Sequence, residues 1–123
     1  MKLKYLIVFG LFISLSSCTS RNSNSEVSRE EVKEIVKNPE TILVDVRIPE
    51  QFSEKTVEGA MNIPLAKIEE NLDFLRKQKN IVVFCNSGRQ SSEAMEILKK
   101  NGITNVYNAK NVQNVNAIKK EKK

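Results

Sequence analysis

A continuous apolar run, Ile-Val-Val-Phe at residues 81–84, leads directly into Cys85 and the polar loop Asn-Ser-Gly-Arg-Gln at residues 86–90. Such a run is typical of a strand that is buried on both faces of a parallel sheet. Residues 91–100 then carry apolar side chains at helical spacing, and Asn101-Gly102 is a common helix stop. The stretch therefore predicts a strand, a tight loop and a helix, in that order.

The same alternation continues on both sides of this stretch. Apolar runs predict strands, and apolar residues three or four apart predict helices. We predict strands over residues 41–46, 59–63 and 103–107, helices over 28–38, 65–75 and from 110 onward, and a polar loop over 47–58. Strand–helix alternation with short connections is typical of an α/β fold with an open parallel sheet flanked by helices. In such sheets, ligands bind beyond the carboxyl ends of the strands.

Two polar segments lie at such strand ends, Asp45-Val46-Arg47 and residues 85–90. Gly88 lets the second segment turn without a Cβ clash. Successive backbone N–H groups in such a turn can form an anion-binding site. The following helix, for which Ser91 and Ser92 are suitable caps, adds its positive end.

The Cys85 thiol has to be activated to serve as a nucleophile. An ordinary thiol is only a few per cent ionised at pH 7. Lowering its pKa from about 8.5 to about 6 requires roughly 3.4 kcal/mol, and a helix end typically supplies about 0.3–1 kcal/mol. We therefore expect loop N–H groups and the charge of Arg89 to contribute the remainder. The alternative is that Cys85 is a buried and inert core residue.

Composition excludes several classes of protein. The chain of 123 residues has a net charge of +5, but residues 18–118 contain 14 basic and 14 acidic side chains. A neutral domain lacks the basic surface of a nucleic-acid binder. The absence of His from the sequence excludes Ser-His-Asp hydrolases, Cys-His proteases and His-ligated metals. Two cysteines are too few for a cysteine zinc site, and we expect no cofactor.

The first residues are typical of an export signal. Lys2 and Lys4 precede an apolar run over residues 5–15, which is shorter than a membrane-spanning helix. The tetrapeptide Leu-Ser-Ser-Cys at residues 15–18 looks like a bacterial lipobox, in which the cysteine, here Cys18, is acylated. An ordinary cleaved signal or a membrane anchor is the alternative.

This interpretation divides the chain into four segments. They are a signal peptide over residues 1–17, a lipidated cysteine and flexible tether over 18–26, a folded domain over 27–118 and a basic tail over 119–123. With Cys18 acylated, Cys85 is the one free thiol of an exported protein, which marks it as a candidate reactive group.

Two reactions suit a Cys loop that has no His partner, namely attack on phosphorus and attack on sulfur. In cysteine phosphatases an Arg follows the Cys after five intervening residues, and here that position is Ser91. A tighter loop suits a single sulfur atom held as a cysteine persulfide. Phosphoryl transfer is therefore the less favoured interpretation.

Residues 41–107 resemble a rhodanese homology domain. The matching stretches are residues 43–52, 59–65, 85–91 and 101–109. The loop over residues 85–91 is especially similar to the single-domain periplasmic rhodaneses of the phage-shock protein E type. Four motifs in the same order make the resemblance specific.

The resemblance implies sulfur transfer from thiosulfate, or a similar small donor, to a thiol or cyanide acceptor through a persulfide on Cys85. It implies a persulfide-binding loop of Asn86, Ser87, Gly88, Arg89, Gln90 and Ser91. Asp45 and Arg47 would lie beside this loop and brace it. The alternative for this pair is a surface ion pair, and the alternative function is a non-catalytic sulfur carrier or docking module. The expected location is the bacterial envelope, periplasm-facing and lipid-anchored, more in the outer than in the inner membrane.

Three positions depart from the family pattern. Gln90 stands where the family commonly has Arg, and Thr56 lies in a region that often contains His. Lys110-Asn111 replaces a usual Gly-Gly pair after the last strand. The last change puts the turn into the C-terminal helix in doubt.

Overall fold

Four parallel strands form the central sheet of the computed structural model, which describes residues 27–121. Their order across the sheet is β2-β1-β3-β4. The strands are β1 (Thr41–Asp45), β2 (Met61–Asn62), β3 (Asn80–Cys85) and β4 (Val106–Asn111). The helices are α1 (Arg29–Lys37), α2 (Pro49–Glu54), α3 (Leu72–Arg76), α4 (Arg89–Lys100) and α5 (Val112–Lys120). Two 3-10 turns, Leu65–Lys67 and Glu69–Asn71, precede α3. The predicted α/β class is confirmed.

The side chains of β3 alternate between two opposite cores. Ile81, Val83 and Cys85 pack on one face, together with residues of α3 and α4. Val82 and Phe84 pack on the other face, with residues of α1 and α5. All five are at most 1% exposed. Because helices cover both faces of β3, its apolar run is uninterrupted until Cys85.

Side chains cap the N-termini of α1 and α5. The Ser28 hydroxyl accepts a hydrogen bond from the backbone N–H of Glu31 at 3.2 Å, which confirms the predicted start of α1. At the other end of the chain, the Asn111 side chain accepts from the N–H of Asn114 at 2.8 Å and caps α5. The turn into α5 therefore forms without the Gly-Gly pair, and Lys110 enters it with φ of 70°.

The last strand begins later than the predicted residues 103–107. Ile103 is buried, but it lies at the end of α4 and not in a strand. Gly102 before it has φ of 80°, and the Ile103 N–H donates to the Leu98 carbonyl at 2.9 Å. This is a Schellman arrangement, in which an apolar residue just after the helix is common. The apolar character of Ile103 therefore serves a helix end, and the prediction of a strand there is wrong.

The predicted polar loop over residues 47–58 contains helix α2. Pro49 at its first position and Glu50 in its first turn favour a helix start. Because α2 has no buried residue, it lacks the apolar periodicity by which a helix is recognised in sequence. Strand β2 is also shorter than the predicted residues 59–63.

Helix α4 begins at Arg89, two residues before the predicted start. Its N-cap is Gly88, and no side chain forms a capping hydrogen bond. The prediction of Ser91 and Ser92 as caps is wrong. Both lie inside the first turn, where the Ser92 hydroxyl donates to the Gly88 carbonyl at 2.7 Å and the Ser91 hydroxyl oxygen lies 3.1 Å from the same carbonyl.

Candidate active site

The two polar segments predicted from the sequence lie side by side. Strands β1 and β3 are neighbours in the sheet, with Asp45 in register with Phe84, so their carboxyl ends meet at one edge. A shallow cavity of about 390 Å³ opens there. Its lining residues are Gln51, Leu65, Cys85, Asn86, Ser87, Arg89, Gln90 and Glu93. The position agrees with the rule that ligands of open α/β sheets bind beyond the strand ends.

Gly88 shapes the loop around the sulfur of Cys85. Its N–H donates to Cys85 Sγ at 3.0 Å. Gly88 has φ of 94°, and an added Cβ would lie 3.3 Å from the Cβ of Lys110. Only glycine adopts such a backbone without strain, so this residue allows the chain to turn back toward the sulfur and begin α4 directly.

Two further groups, one from α4 and one from β4, contact the sulfur. The Ser91 hydroxyl oxygen, on α4, lies 3.5 Å from Cys85 Sγ. The backbone carbonyl of Lys110, on β4, lies 3.6 Å from Sγ and accepts from the thiol. Ser91 is completely buried. The sulfur therefore lies in a pocket built from three segments of the chain.

The hydrogen bonds at this pocket favour the ionised sulfur. Burial raises the pKa of the Cys85 thiol. Hydrogen bonds from the Ser91 hydroxyl and from the backbone N–H groups of Ser91, Gly88 and Ser87 lower it by more than burial raises it, so the net pKa is below the ordinary value. Donors directed at a thiolate stabilise the charged form. This direction is the one that a nucleophilic thiol requires, so the alternative of an inert core cysteine is not favoured.

Asp45 and Arg47 form a buried pair beside this loop. Asp45 is 0% exposed and Arg47 is 6% exposed, so they do not form the surface ion pair considered as an alternative. The Asp45 carboxylate accepts from Arg47 Nε at 2.9 Å, from Arg47 Nη2 at 2.7 Å and from the Arg47 backbone N–H at 3.0 Å. The Thr56 hydroxyl donates to the same carboxylate at 2.9 Å. The buried charge is thus fully hydrogen-bonded.

Arg47 connects this pair to the cysteine loop. Its Nη1 donates to Asn86 Oδ1 at 3.1 Å, and its Nη2 also donates to the Lys55 carbonyl at the end of α2. Hydrogen bonding to Asp45 raises the pKa of Arg47 against the effect of burial, and the charges of Asp45 and Cys85 raise it further. The guanidinium therefore braces the cysteine loop.

Arg89 lies at the cavity with its side chain extended into solvent. Its side chain is 85% exposed, and its Nε lies 3.6 Å from a Glu93 carboxylate oxygen. Arg89 lines the cavity wall, whereas Arg47 is the cation whose pKa is raised by the charge of Cys85.

The other predicted loop residues divide by exposure. Asn86 and Ser87 are exposed at the cavity, and Gln90 is half-buried in its wall. The Ser87 hydroxyl accepts from the Arg89 N–H at 3.4 Å. The structure therefore brings the Gly88 N–H and Ser91 to the sulfur, while Gln90 and Arg89 contribute to the wall.

Asn108 on β4 is a site residue that sequence reasoning missed. Its side-chain oxygen accepts from the Ser91 hydroxyl at 2.7 Å and from the Lys110 N–H at 2.8 Å. The available signal was the polar run Asn-Ala-Lys-Asn at residues 108–111, which continues a strand toward the ligand-binding edge. The strand prediction ended at residue 107, and this run was therefore not assigned to the site.

The architecture is that of a parallel α/β domain with a cysteine loop at the carboxyl edge of its sheet. Residues 28–111 match the Rhodanese-like domain family. The match covers more than half of the chain and includes every residue of the site. The chain belongs to this family, and the resemblance read from the sequence is confirmed.

Individual relatives agree with this assignment. The chain is 43% identical over 74 residues to the thiosulfate sulfurtransferase PspE of Escherichia coli strain K12, covering 58% of this chain and 71% of the relative. A solved rhodanese with anions from E. coli is 42% identical, with a TM-score of 0.55, over 60% of this chain and 89% of that one. The human single-domain sulfurtransferase TSTD1 shares the fold at 23% identity, with a TM-score of 0.59, over 76% of this chain and 94% of that one.

Proposed function

We propose that the protein transfers a sulfane sulfur from thiosulfate, or a similar small donor, to a thiol or cyanide acceptor through a persulfide on Cys85. Sulfur transfer is the activity named for the E. coli relative at 43% identity. The observation that carries the proposal is the Gly88 N–H at 3.0 Å from Sγ, within a pocket that lowers the thiol pKa. The chain is accordingly assigned as an enzyme of the sulfurtransferase class.

The chemistry proceeds in two displacements on sulfur. The Cys85 thiolate attacks the outer sulfur of thiosulfate, a new S–S bond forms, and the old S–S bond breaks as sulfite leaves with the electron pair. Cyanide or a thiolate then attacks the outer persulfide sulfur, and the Cys85 thiolate is regenerated. Neither step requires protonation of the leaving group, which is consistent with a sequence that contains no His.

The same donors serve both states of the cysteine. A persulfide carries its negative charge one sulfur farther out, toward the cavity lined by Asn86 and Ser87. Arg47 donates to Asn86 at 3.1 Å, and its charge favours anions at this edge. A pocket that is preorganised for a thiolate and opens to a polar cavity supports turnover, so a carrier or docking module is not favoured.

Thiocyanate release from thiosulfate and cyanide tests this proposal. Wild-type protein should release thiocyanate, and Cys85→Ser should abolish release because a serine alkoxide is not available near neutral pH. The matched control is Cys18→Ser, the same substitution at the other cysteine, which should retain the activity in detergent. An active Cys85→Ser protein would falsify the assignment of the nucleophile.

Mass spectrometry after incubation with thiosulfate distinguishes a sulfurtransferase from a non-catalytic sulfur carrier or docking module. An enzyme should show a Cys85 adduct of one sulfur atom that disappears when cyanide is added. A stable adduct without thiocyanate release would instead identify a sulfur carrier. No adduct under any condition would identify a docking domain and contradict sulfur transfer.

We propose further that a lipid on Cys18 holds the protein at the bacterial envelope, facing the periplasm. The support is the apolar run over residues 5–15 and the lipobox-like residues 15–18, all of which lie outside the described residues. Within residues 27–121, no helix combines the length and the apolar character needed to cross a bilayer. Acyl chains on Cys18 would supply the attachment to the membrane.

Incorporation of labelled palmitate tests the anchor. Wild-type protein should be labelled and should partition with membranes, whereas Cys18→Ser should be unlabelled and released. Lys119 and Lys120, predicted as part of a basic tail, instead end α5. Deletion of residues 119–123 should leave the partition unchanged, because the acyl chains supply the attachment. Labelling of the Cys18→Ser protein would contradict the lipobox.

A further inference from the structure

The Ser91 hydroxyl has one proton and three acceptors within reach. The side-chain oxygen of Asn108 lies at 2.7 Å, the Gly88 carbonyl at 3.1 Å and Cys85 Sγ at 3.5 Å. A hydroxyl donates only one hydrogen bond at a time. The sulfur is therefore in competition with two oxygen acceptors for this proton.

The orientation of the Asn108 amide is determined by its other partners. Its oxygen accepts from the Lys110 N–H at 2.8 Å, and its Nδ2 donates to the Ser92 hydroxyl oxygen at 2.9 Å. Because a backbone N–H can only donate, the atom that faces Lys110 and Ser91 must be the amide oxygen. Ser91 therefore meets a fixed acceptor, and its proton points toward Asn108 when the sulfur is neutral.

The hydrogen bonds of a neutral and an ionised sulfur run in opposite directions. A neutral thiol donates, and the Lys110 carbonyl at 3.6 Å and the Ser91 oxygen can both accept. A thiolate or persulfide needs donors, so the Ser91 proton must turn from Asn108 to the sulfur. The strength of the Asn108 acceptor thus enters the free-energy difference between the two states.

We propose that Asn108 is a positioning residue that competes with the Cys85 sulfur for the Ser91 proton and so limits how readily this sulfur carries negative charge. Asn108 acts through Ser91 and makes no hydrogen bond to the sulfur itself. The effect of Asn108 on sulfur transfer rests on the proposed function, but its effect on the pKa of the Cys85 thiol can be measured without any sulfur donor.

Several charged groups also face this edge of the sheet and must stay constant in the test. They are Arg47 from the end of β1, Arg89 and Glu93 from α4, and Lys110 from β4. An uncharged replacement at Asn108 leaves all of them in place. Leucine has a similar shape and removes the acceptor, so Asn108→Leu is the informative variant.

The experiment measures the pH dependence of alkylation at the Cys85 peptide of the full chain by mass spectrometry. We expect Asn108→Leu to lower the thiol pKa by about half to one pH unit, since one hydrogen bond is at stake. Ser91→Ala should raise the pKa because the donor is lost. In the Ser91→Ala background, Asn108→Leu should have no further effect.

A matched control and a second variant complete the test. Asn105→Leu removes the amide that donates to the Gln78 and Lys79 carbonyls at the opposite end of the sheet, and it should leave the thiol pKa unchanged. If Asn108→Leu does not fold, Asn108→Asp retains the acceptor. It should raise the pKa more with Ser91 present than in the Ser91→Ala background.

The proposal is overturned if Asn108→Leu leaves the pKa unchanged or raises it, or if its effect persists without Ser91. Equal effects of Asn108→Asp in both backgrounds would overturn it too. Loss of thiocyanate release with the expected alkylation profile would count against the proposed function alone, because alkylation requires no sulfur transfer.

Discussion

The loops that follow β1 and β3 lie side by side but are held in different ways. After β1, side chains hold the chain, because Asp45 and Arg47 share four hydrogen bonds and Thr56 adds a fifth. After β3, the backbone dominates, with the Gly88 N–H directed at the sulfur of Cys85. A buried ion pair holds the first loop, and the second loop directs a backbone donor at the cysteine sulfur.

The first loop is therefore expected to affect mainly the stability of the fold, and the second loop mainly the reactivity of Cys85. A buried ion pair is intolerant of change in either partner because the remaining charge has no solvent. Backbone donors cannot be removed by changing a side chain, but they can be displaced by changing the φ angle that directs them. Arg47 joins the two loops through Asn86 at 3.1 Å, so damage to the first loop reaches the second.

Removing the cation of the first loop should have the largest effect. Arg47→Met leaves the completely buried Asp45 carboxylate without its main partner, which typically costs about 3–5 kcal/mol. Urea unfolding monitored by circular dichroism measures this loss. The double variant Asp45→Asn with Arg47→Met should recover part of it, and a fully stable Arg47→Met protein would contradict the role assigned to the pair.

The exposed pair of Arg76 and Asp73 is the matched control for that experiment. Its atoms lie 3.2 Å apart, but the side chains are 52% and 99% exposed. Surface ion pairs contribute little because water screens them. Arg76→Met should therefore leave the unfolding midpoint almost unchanged.

Disturbing the second loop should reduce activity more than stability. Gly88→Ala adds a Cβ 3.3 Å from Lys110 at φ of 94°, which costs about 1–2 kcal/mol. Displacement of its N–H from the sulfur should lower thiocyanate release about tenfold or more, since a bond to a charged group is lost. Gly102→Ala is the control, with φ of 80° and no atom within 4 Å of the added Cβ. It should lose stability but keep activity, and equal activity losses would refute the comparison.

The lowered thiol pKa of Cys85 predicts a pH-dependent stability. When the folded pKa lies below the unfolded value, the unfolded chain binds more protons between the two, so stability rises with pH across that window. The stability that the Cys85 thiolate contributes is lost as pH falls through the folded pKa. Urea unfolding in reducing buffer should show wild type gaining stability relative to Cys85→Ser from neutral pH to pH about 8.5. A constant difference across this range would indicate an unperturbed thiol.

The smallest effect should follow removal of the second arginine. Arg89 is 85% exposed and pairs with Glu93 at 3.6 Å, so Arg89→Ala should change thiocyanate release by about twofold or less, in keeping with a solvent-screened charge. Steady-state kinetics over a range of thiosulfate concentrations measure this change. A loss as large as that of Gly88→Ala would return Arg89 to the role expected from the sequence.

Local signals predicted much of the fold. The apolar run over residues 81–84 identified β3 because a strand covered on both faces needs apolar side chains throughout. Ser28 identified the start of α1 because its cap involves a residue only three positions away. Helix α2 was missed since it buries nothing, and Ile103 was misassigned since a helix cap and a strand both use apolar residues.

The sequence by itself determined the alternation of strands and helices, the position of Cys85 at a strand end and the glycine that turns the loop behind it. These features follow from residues that are neighbours in the chain. The tertiary structure alone decided that Arg47 rather than Arg89 is coupled to the sulfur, and that Asn108 lies beside Ser91. Both outcomes depend on which strands are adjacent and on the register of β4 against β3, where a shift between Val83 and Phe84 sets the positions of Asn108 and Lys110. Such pairings are made between distant parts of the chain, so no local pattern specifies them.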